Sequence, residues 1–297
     1  MRVTKLKFID DAKMSLASHL LQRHLVWKFV QEKDKGTKLS FLKDIRFHSG
    51  KFGRPYFRSS PESDYVIDFN ISTVSGRVII AHIVRSKNCS ERLEKSIQAQ
   101  TDCPVLGIDL TDPPSLQSAE WMDEFAPMVS TPDELLAIKA ASSINIGISD
   151  IDRTLLSGIS LAIRWAIKES YIKGIGAGLV GAVDISQVEV DKESNDSIDK
   201  LVIDEYLKQA RSAASHKNGG DNFSVSKSNN ITAKYFSAQK VIVASSEQAD
   251  WRVKIFTFDG IIAAIMLHQD ICVSEEPELN LNRLALQTIL DDIATSC

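Results

Sequence analysis

The chain has 297 residues, 43% of them apolar and 25% charged, which is enough for a real core in two lobes or one elaborate domain. A formal net charge of −4 argues against a general nucleic-acid binder and leaves room only for a local basic pocket. Cys89, Cys103, Cys272 and Cys297 form no CxxC pair and no zinc spacing, no apolar run reaches about 18 residues, and the N-terminus lacks a signal-peptide core, so a cytoplasmic protein with reduced thiols is expected, without a membrane span.

Taken in order, residues 10–30 read as a helix with an acidic start, Asp10 or Asp11 as its N-cap, and Leu16, Leu20, Leu21, Leu25, Trp27 and Phe29 as apolar positions. Residues 33–58 then hold eight Lys/Arg against two acids. This cluster is either a solvated loop face or an anion site for a phosphorylated small molecule. Within it, residues 44–47 read as a short strand and residues 53–57 as a turn entering another. Residues 65–72 and 77–84 alternate as the two arms of a hairpin. Ser72, Thr73 and Ser75 near its turn either cap backbone groups or donate to a phosphate.

Residues 104–110 form a short buried-type strand containing Asp109, which must be paired, bound to a metal, or already at the exposed strand end. Residues 111–132 read as a connection with a short helical piece around Trp121 and Phe125. A long helix follows over 149–173, and Trp165, Glu169 and Lys173 form one ridge of it at a spacing of four. Glu169 sits there at the margin of packed surface, which on spacing alone fits an ordinary surface pair with Lys173. Gly174, Gly176 and Gly178 follow at once, suggesting a chain that turns tightly or comes close to something. From 184 to 230 the composition is polar, with a helical pattern only over 201–210 and a mobile insertion expected over 212–230. Strands are expected at 241–244, 251–258 and 261–268, and a closing helix at 281–293. The two halves share a coarse plan of a helix followed by hairpins, without residue-level repetition.

Four segments in order resemble the signature of the large, surfactin-type 4′-phosphopantetheinyl transferases. They are Gly53-Arg54-Pro55-Tyr56, Phe69-Asn70-Ile71-Ser72, Gly107-Ile108-Asp109, and Trp165-x-x-Lys168-Glu169-Ser170-x-x-Lys173-x-x-Gly176-x-Gly178-Leu179. The likeness extends to the eukaryotic members that serve aminoadipate reductase, in lysine biosynthesis, and fatty-acid carriers. It implies an α+β fold of two pseudo-symmetric lobes, each a helix packed on a small antiparallel sheet, here residues 1–103 and 104–297 with a flexible insertion at 184–230. It further implies Mg²⁺-dependent transfer of the phosphopantetheine arm of coenzyme A to a serine of an apo carrier protein, of the aminoadipate-reductase, fatty-acid or polyketide/peptide-synthase type. The product would be adenosine 3′,5′-bisphosphate, and the activity that of a holo-[acyl-carrier-protein] synthase. A monomer, with no nucleic-acid or membrane partner, is expected.

Carried over residue by residue, the resemblance gives Asp109 and Glu169 to the metal, and Glu169 and Lys173 to catalysis. Arg54, Ser72, Thr73, Lys173, Arg23 and Lys51 would hold the coenzyme. The chain departs from the family in having Thr73 where an imidazole is usual and Thr111 where a second acid often stands. His19 occupies the place of a first-helix arginine, leaving Arg23 as its substitute, and the chain starts close to the first helix, which leaves a truncated start open. Thr73 also raises the alternative of a non-catalytic relative that binds coenzyme A or a carrier.

Overall fold

A computed structural model describes residues 8–33, 40–41, 43–49, 54–58, 65–86, 106–113, 119–144, 153–176, 183–217, 235–238, 241–243, 246–248 and 251–268. Helix α1 (Ile9–Lys33) begins one residue before Asp10. Both acids therefore lie in its first turn, where they oppose the helix dipole, and neither is the cap. Strands β1 (His48–Ser49), β2 (Pro55–Phe57), β3 (Tyr65–Val74) and β4 (Arg77–Ser86) make an antiparallel sheet in that order. The strand expected over 44–47 is not formed, because Arg23 Nη1 takes the carbonyl of Ile45 at 2.8 Å, and pairing starts only at His48. The β3 to β4 hairpin turns on Ser75 and Gly76, with φ of 46° and 76°, in the left-handed region that two-residue hairpins require.

Strand β5 (Leu106–Thr111) opens the second lobe, followed by helices α2 (Ala119–Val129), α3 (Pro132–Ala141) and α4 (Arg153–Ile175). A 3-10 turn at Ile185–Gln187 leads into β6 (Val188–Val190), α5 (Lys192–Lys217), β7 (Tyr235–Ala238), β8 (Val241–Val243), β9 (Ser246–Gln248), β10 (Trp251–Phe258) and β11 (Ile261–His268). The second sheet runs β5-β11-β10-β7, and a third runs β6-β8-β9. Every recorded strand pair is antiparallel. The α+β class follows, with α1 on the first sheet and α4 on the second.

The 184–230 stretch is not simply a flexible insertion. Its first part forms β6 and α5, and Ile198, Val202, Ile203, Tyr206 and Leu207 recur at helical spacing to enter the main core beside Ile163, Ile167 and Val253. Residues 218–230, the closing helix at 281–293 and the proposed boundary between 103 and 104 lie outside the described residues. A second core of Leu106, Ile108, Leu110, Phe256 and Ile265 takes Val74, Ile79, Ala81 and Ile83 of the first sheet against it, and so joins the lobes. Among the described residues no helix is long and apolar enough to cross a membrane.

Candidate active site

Helix α4 is buried on nearly every side, including Arg164, Lys168 and Glu169. Each of these charges needs its own explanation. Arg164 meets Asp199 of α5 through two bonds, Nη1 to Oδ1 at 2.8 Å and Nη2 to Oδ2 at 3.0 Å, with Ser160 Oγ donating to the same carboxylate. Lys168 Nζ lies 2.8 Å from Glu134 Oε2 and also donates to the Val188 carbonyl. Burial pushes the Lys168 ammonium down, and Glu134 acts against that shift. Both pairs fasten α4 to its neighbours.

The approach of α4 to β5 is set by Gly107. A Cβ there would stand 1.8 Å from the Ser170 carbonyl oxygen and 2.5 Å from the Gly174 nitrogen, so helix backbone rests directly on strand backbone. Gly107→Ala must push the helix off the strand, and we expect a loss of at least about 1–3 kcal/mol in chemical denaturation, with the Asp109 cluster pulled apart.

That contact brings the last turns of α4 over Asp109, which lies two residues beyond Gly107 on the same face of β5. Asp109 is 5% exposed, which removes the exposed-end alternative. Its Oδ1 accepts from Lys173 Nζ at 2.5 Å and from Ser72 Oγ at 3.0 Å, and its Oδ2 from Thr111 Oγ1 at 3.0 Å. Thr111, standing where relatives often have an acid, therefore serves the carboxylate as a donor. Lys173 also reaches Ser72 Oγ at 3.3 Å, and its side chain keeps 29% of its surface open.

The surface-pair reading of Glu169 with Lys173 does not hold, since Lys173 crosses to Asp109. Glu169 is 7% exposed, and its Oε1 is buried with no hydrogen-bond partner. Burial, then the neighbouring Asp109 charge, push its carboxyl above the ordinary glutamate range, while Lys173 pulls the other way. An orphaned carboxylate oxygen beside a second carboxylate fits a bound cation. Among the described residues no group of three or more His, Cys, Asp or Glu gathers to cage a metal. Two carboxylates completed by phosphate oxygens and water suit Mg²⁺.

The remaining predicted residues divide. Ser72 belongs to the cluster. Thr73 projects from the opposite face of β3 and is exposed, so it does not join Ser72 there. Arg54 donates from Nε to Asp68 Oδ1 at 3.2 Å, from Nη1 to the Lys173 carbonyl at 2.6 Å, and from Nη2 to the Leu106 carbonyl. With a side chain only 12% exposed, it ties the two lobes together, a use that the resemblance does not include. Arg23 donates to the carbonyls of Phe41 and Ile45 and stands over the Phe47 ring at 5.6 Å, which orders residues of the basic stretch. Lys51 lies outside the described residues. Sequence reasoning missed Glu134, Asp199 and Asn70. Asn70 stands inside a quoted motif without a role of its own, and Glu134 carries a readable signal, since Thr131-Pro132-Asp133-Glu134 has the capping-box spacing and both reciprocal bonds are formed.

Fold and site together define an α+β protein whose two lobes meet at a carboxylate and lysine cluster. Residues 105–228 match the family model described as the 4′-phosphopantetheinyl transferase superfamily, and residues 1–85 match the model for the 4′-phosphopantetheinyl transferase N-terminal region. The chain belongs to that superfamily. It is also similar to the L-aminoadipate-semialdehyde dehydrogenase-phosphopantetheinyl transferase of Schizosaccharomyces pombe, at 30% identity over 181 residues. The match covers 61% of this chain and 58% of that relative.

Proposed function

We propose that the chain transfers the 4′-phosphopantetheine arm of coenzyme A to a serine hydroxyl of an apo carrier protein. The observation that carries this reading is the orphaned, buried Glu169 carboxylate held beside Asp109 and Lys173. Asp109 and Glu169 would hold Mg²⁺, which when bound neutralises charge on the pyrophosphate. Ser72 and Lys173 face the same space and would bind phosphate oxygens, with Arg23, Arg54, Lys51 and Thr73 as further candidate contacts for the coenzyme.

In the transfer, the carrier serine oxygen forms a bond to the phosphorus that bears the pantetheine arm. The bond from that phosphorus to the bridging oxygen breaks, and adenosine 3′,5′-bisphosphate leaves with the electron pair. The serine proton passes to Glu169 Oε1 or to a water that it orients, a role that its raised affinity for protons favours. Lys173 offers a positive charge where negative charge gathers. The S. pombe relative is named for L-aminoadipate-semialdehyde dehydrogenase, and we propose a carrier of that kind first, with fatty-acid and polyketide/peptide carriers after it. A monomeric, cytoplasmic enzyme of the holo-[acyl-carrier-protein] synthase class is the form proposed.

The test is incubation with coenzyme A, Mg²⁺ and several apo carrier domains, read by mass spectrometry for the added arm. Absence of the arm from all of them would overturn the proposal. The exposed Thr73 supports a second reading, in which the chain binds coenzyme A or a carrier without turnover. That reading predicts a calorimetric binding signal with no product, and a gain of transfer in Thr73→His.

A further inference from the structure

Among the described residues, strand β5 ends its sheet and no strand pairs with one of its edges. On that edge lie the Leu106 carbonyl, the Ile108 N–H and the Leu110 N–H, two residues apart. All are satisfied by side chains of the first lobe. Arg54 Nη2 donates to the Leu106 carbonyl, Asn70 Oδ1 accepts from Ile108 N at 3.0 Å, and Ser72 Oγ accepts from Leu110 N at 3.0 Å. The period of two along β3 sets Asp68, Asn70 and Ser72 on one face of that strand, and Asp68 in turn holds Arg54. The spacing of β3 side chains therefore matches the spacing of polar groups along the β5 edge.

We infer that these side chains form a clasp that sets the register of one lobe against the other, and that Asn70 is a positioning residue for the reaction proposed above, on which its functional part rests. Arg54 and Ser72 also touch Lys173, whereas Asn70 bonds the main chain immediately before Asp109. Losing its acceptor frees the Ile108 peptide and lets Asp109 drift from Ser72 and Lys173. Affinity for the coenzyme need not change, because no group proposed to bind it is removed.

The test compares the full chain with Asn70→Ala, with Asn70→Leu as a variant of similar volume lacking an acceptor, and with Asn70→Asp, which keeps one. Amide hydrogen exchange at Ile108 should quicken roughly tenfold or more in the first two, and stay slow in the third. Exchange at Phe256 and Ala263, which face one another between β10 and β11, should not change, which separates loosening of the clasp from unfolding. Transfer to an apo carrier should show kcat about tenfold lower in Asn70→Leu, with the KM for coenzyme A within about threefold of wild type. Unchanged exchange at Ile108, or a rise in KM with kcat intact, would overturn the inference. If the wild-type chain transfers nothing, the proposed function fails, and the exchange result alone upholds or overturns the clasp.

Discussion

Under the proposed function, Glu169→Gln should lower transfer by roughly 10²–10³-fold or more, while the fold stands. The side chain makes no hydrogen bond through Oε1, so the amide replaces it without breaking a bond there. Its carboxyl holds its proton to higher pH in the folded chain than in the unfolded one, because burial and Asp109 disfavour the charge. The sign follows directly. Below the ordinary glutamate range both states are protonated and the group costs nothing, and as pH climbs through the raised folded value the folded state loses stability. Wild type in metal-free buffer should therefore fall behind Glu169→Gln as pH rises toward neutrality, seen as a lower Tm. Adding Mg²⁺ with coenzyme A should raise the wild-type Tm and leave that of the variant nearly still. A variant that keeps full turnover, or whose Tm drops at every pH, would show that Glu169 belongs to packing.

Lys168→Ala should be strongly destabilising, at about 3–5 kcal/mol, because it leaves the Glu134 carboxylate buried without its cation. Lys168 is fully buried and bonds Glu134 and the Val188 carbonyl, so it joins α4 to α3 and β6 at once. Although it adjoins Glu169 in the sequence, it faces away from the Asp109 cluster. Removing both charges tests the account. Lys168→Met with Glu134→Gln should be more stable than Lys168→Met alone in urea denaturation, since the amide keeps much of the capping geometry while the uncompensated charge is gone. If the single variant folds normally but fails to transfer, Lys168 acts on the chemistry and the structural account is wrong.

What was legible in the sequence had a local cause. The β3 and β4 hairpin, β5, α4, and the β10 and β11 pair all announce themselves through strand alternation, apolar runs or a long helical pattern. Helix α3 is masked in the sequence by Pro132, which suggests a loop and is in fact the first helical residue, although its Thr-x-x-Glu cap is visible. Helix α5 shows less than half its length in the apolar pattern, since its polar outer face outnumbers the buried positions from Ile198 to Leu207. At the site, Asp109, Glu169, Lys173 and Ser72 were identified through the resemblance, and the structure brings Asp109, Lys173 and Ser72 into one hydrogen-bonded cluster with Glu169 beside it. Spacing along a single helix suggested the wrong partner for Lys173. The true one is 64 residues away on β5, and only tertiary packing reveals it.

The clothed edge of β5 also governs how other chains can meet this protein. A bare edge strand invites a partner to add a strand of its own, whether as a recognition mode or as the first step of aggregation. Here the Leu106 carbonyl and the N–H groups of Ile108 and Leu110 are already engaged by Arg54, Asn70 and Ser72. With those three groups taken, strand addition at the β5 edge is hindered, so under the proposed function a carrier would dock through side-chain surfaces and present its serine from outside the sheet.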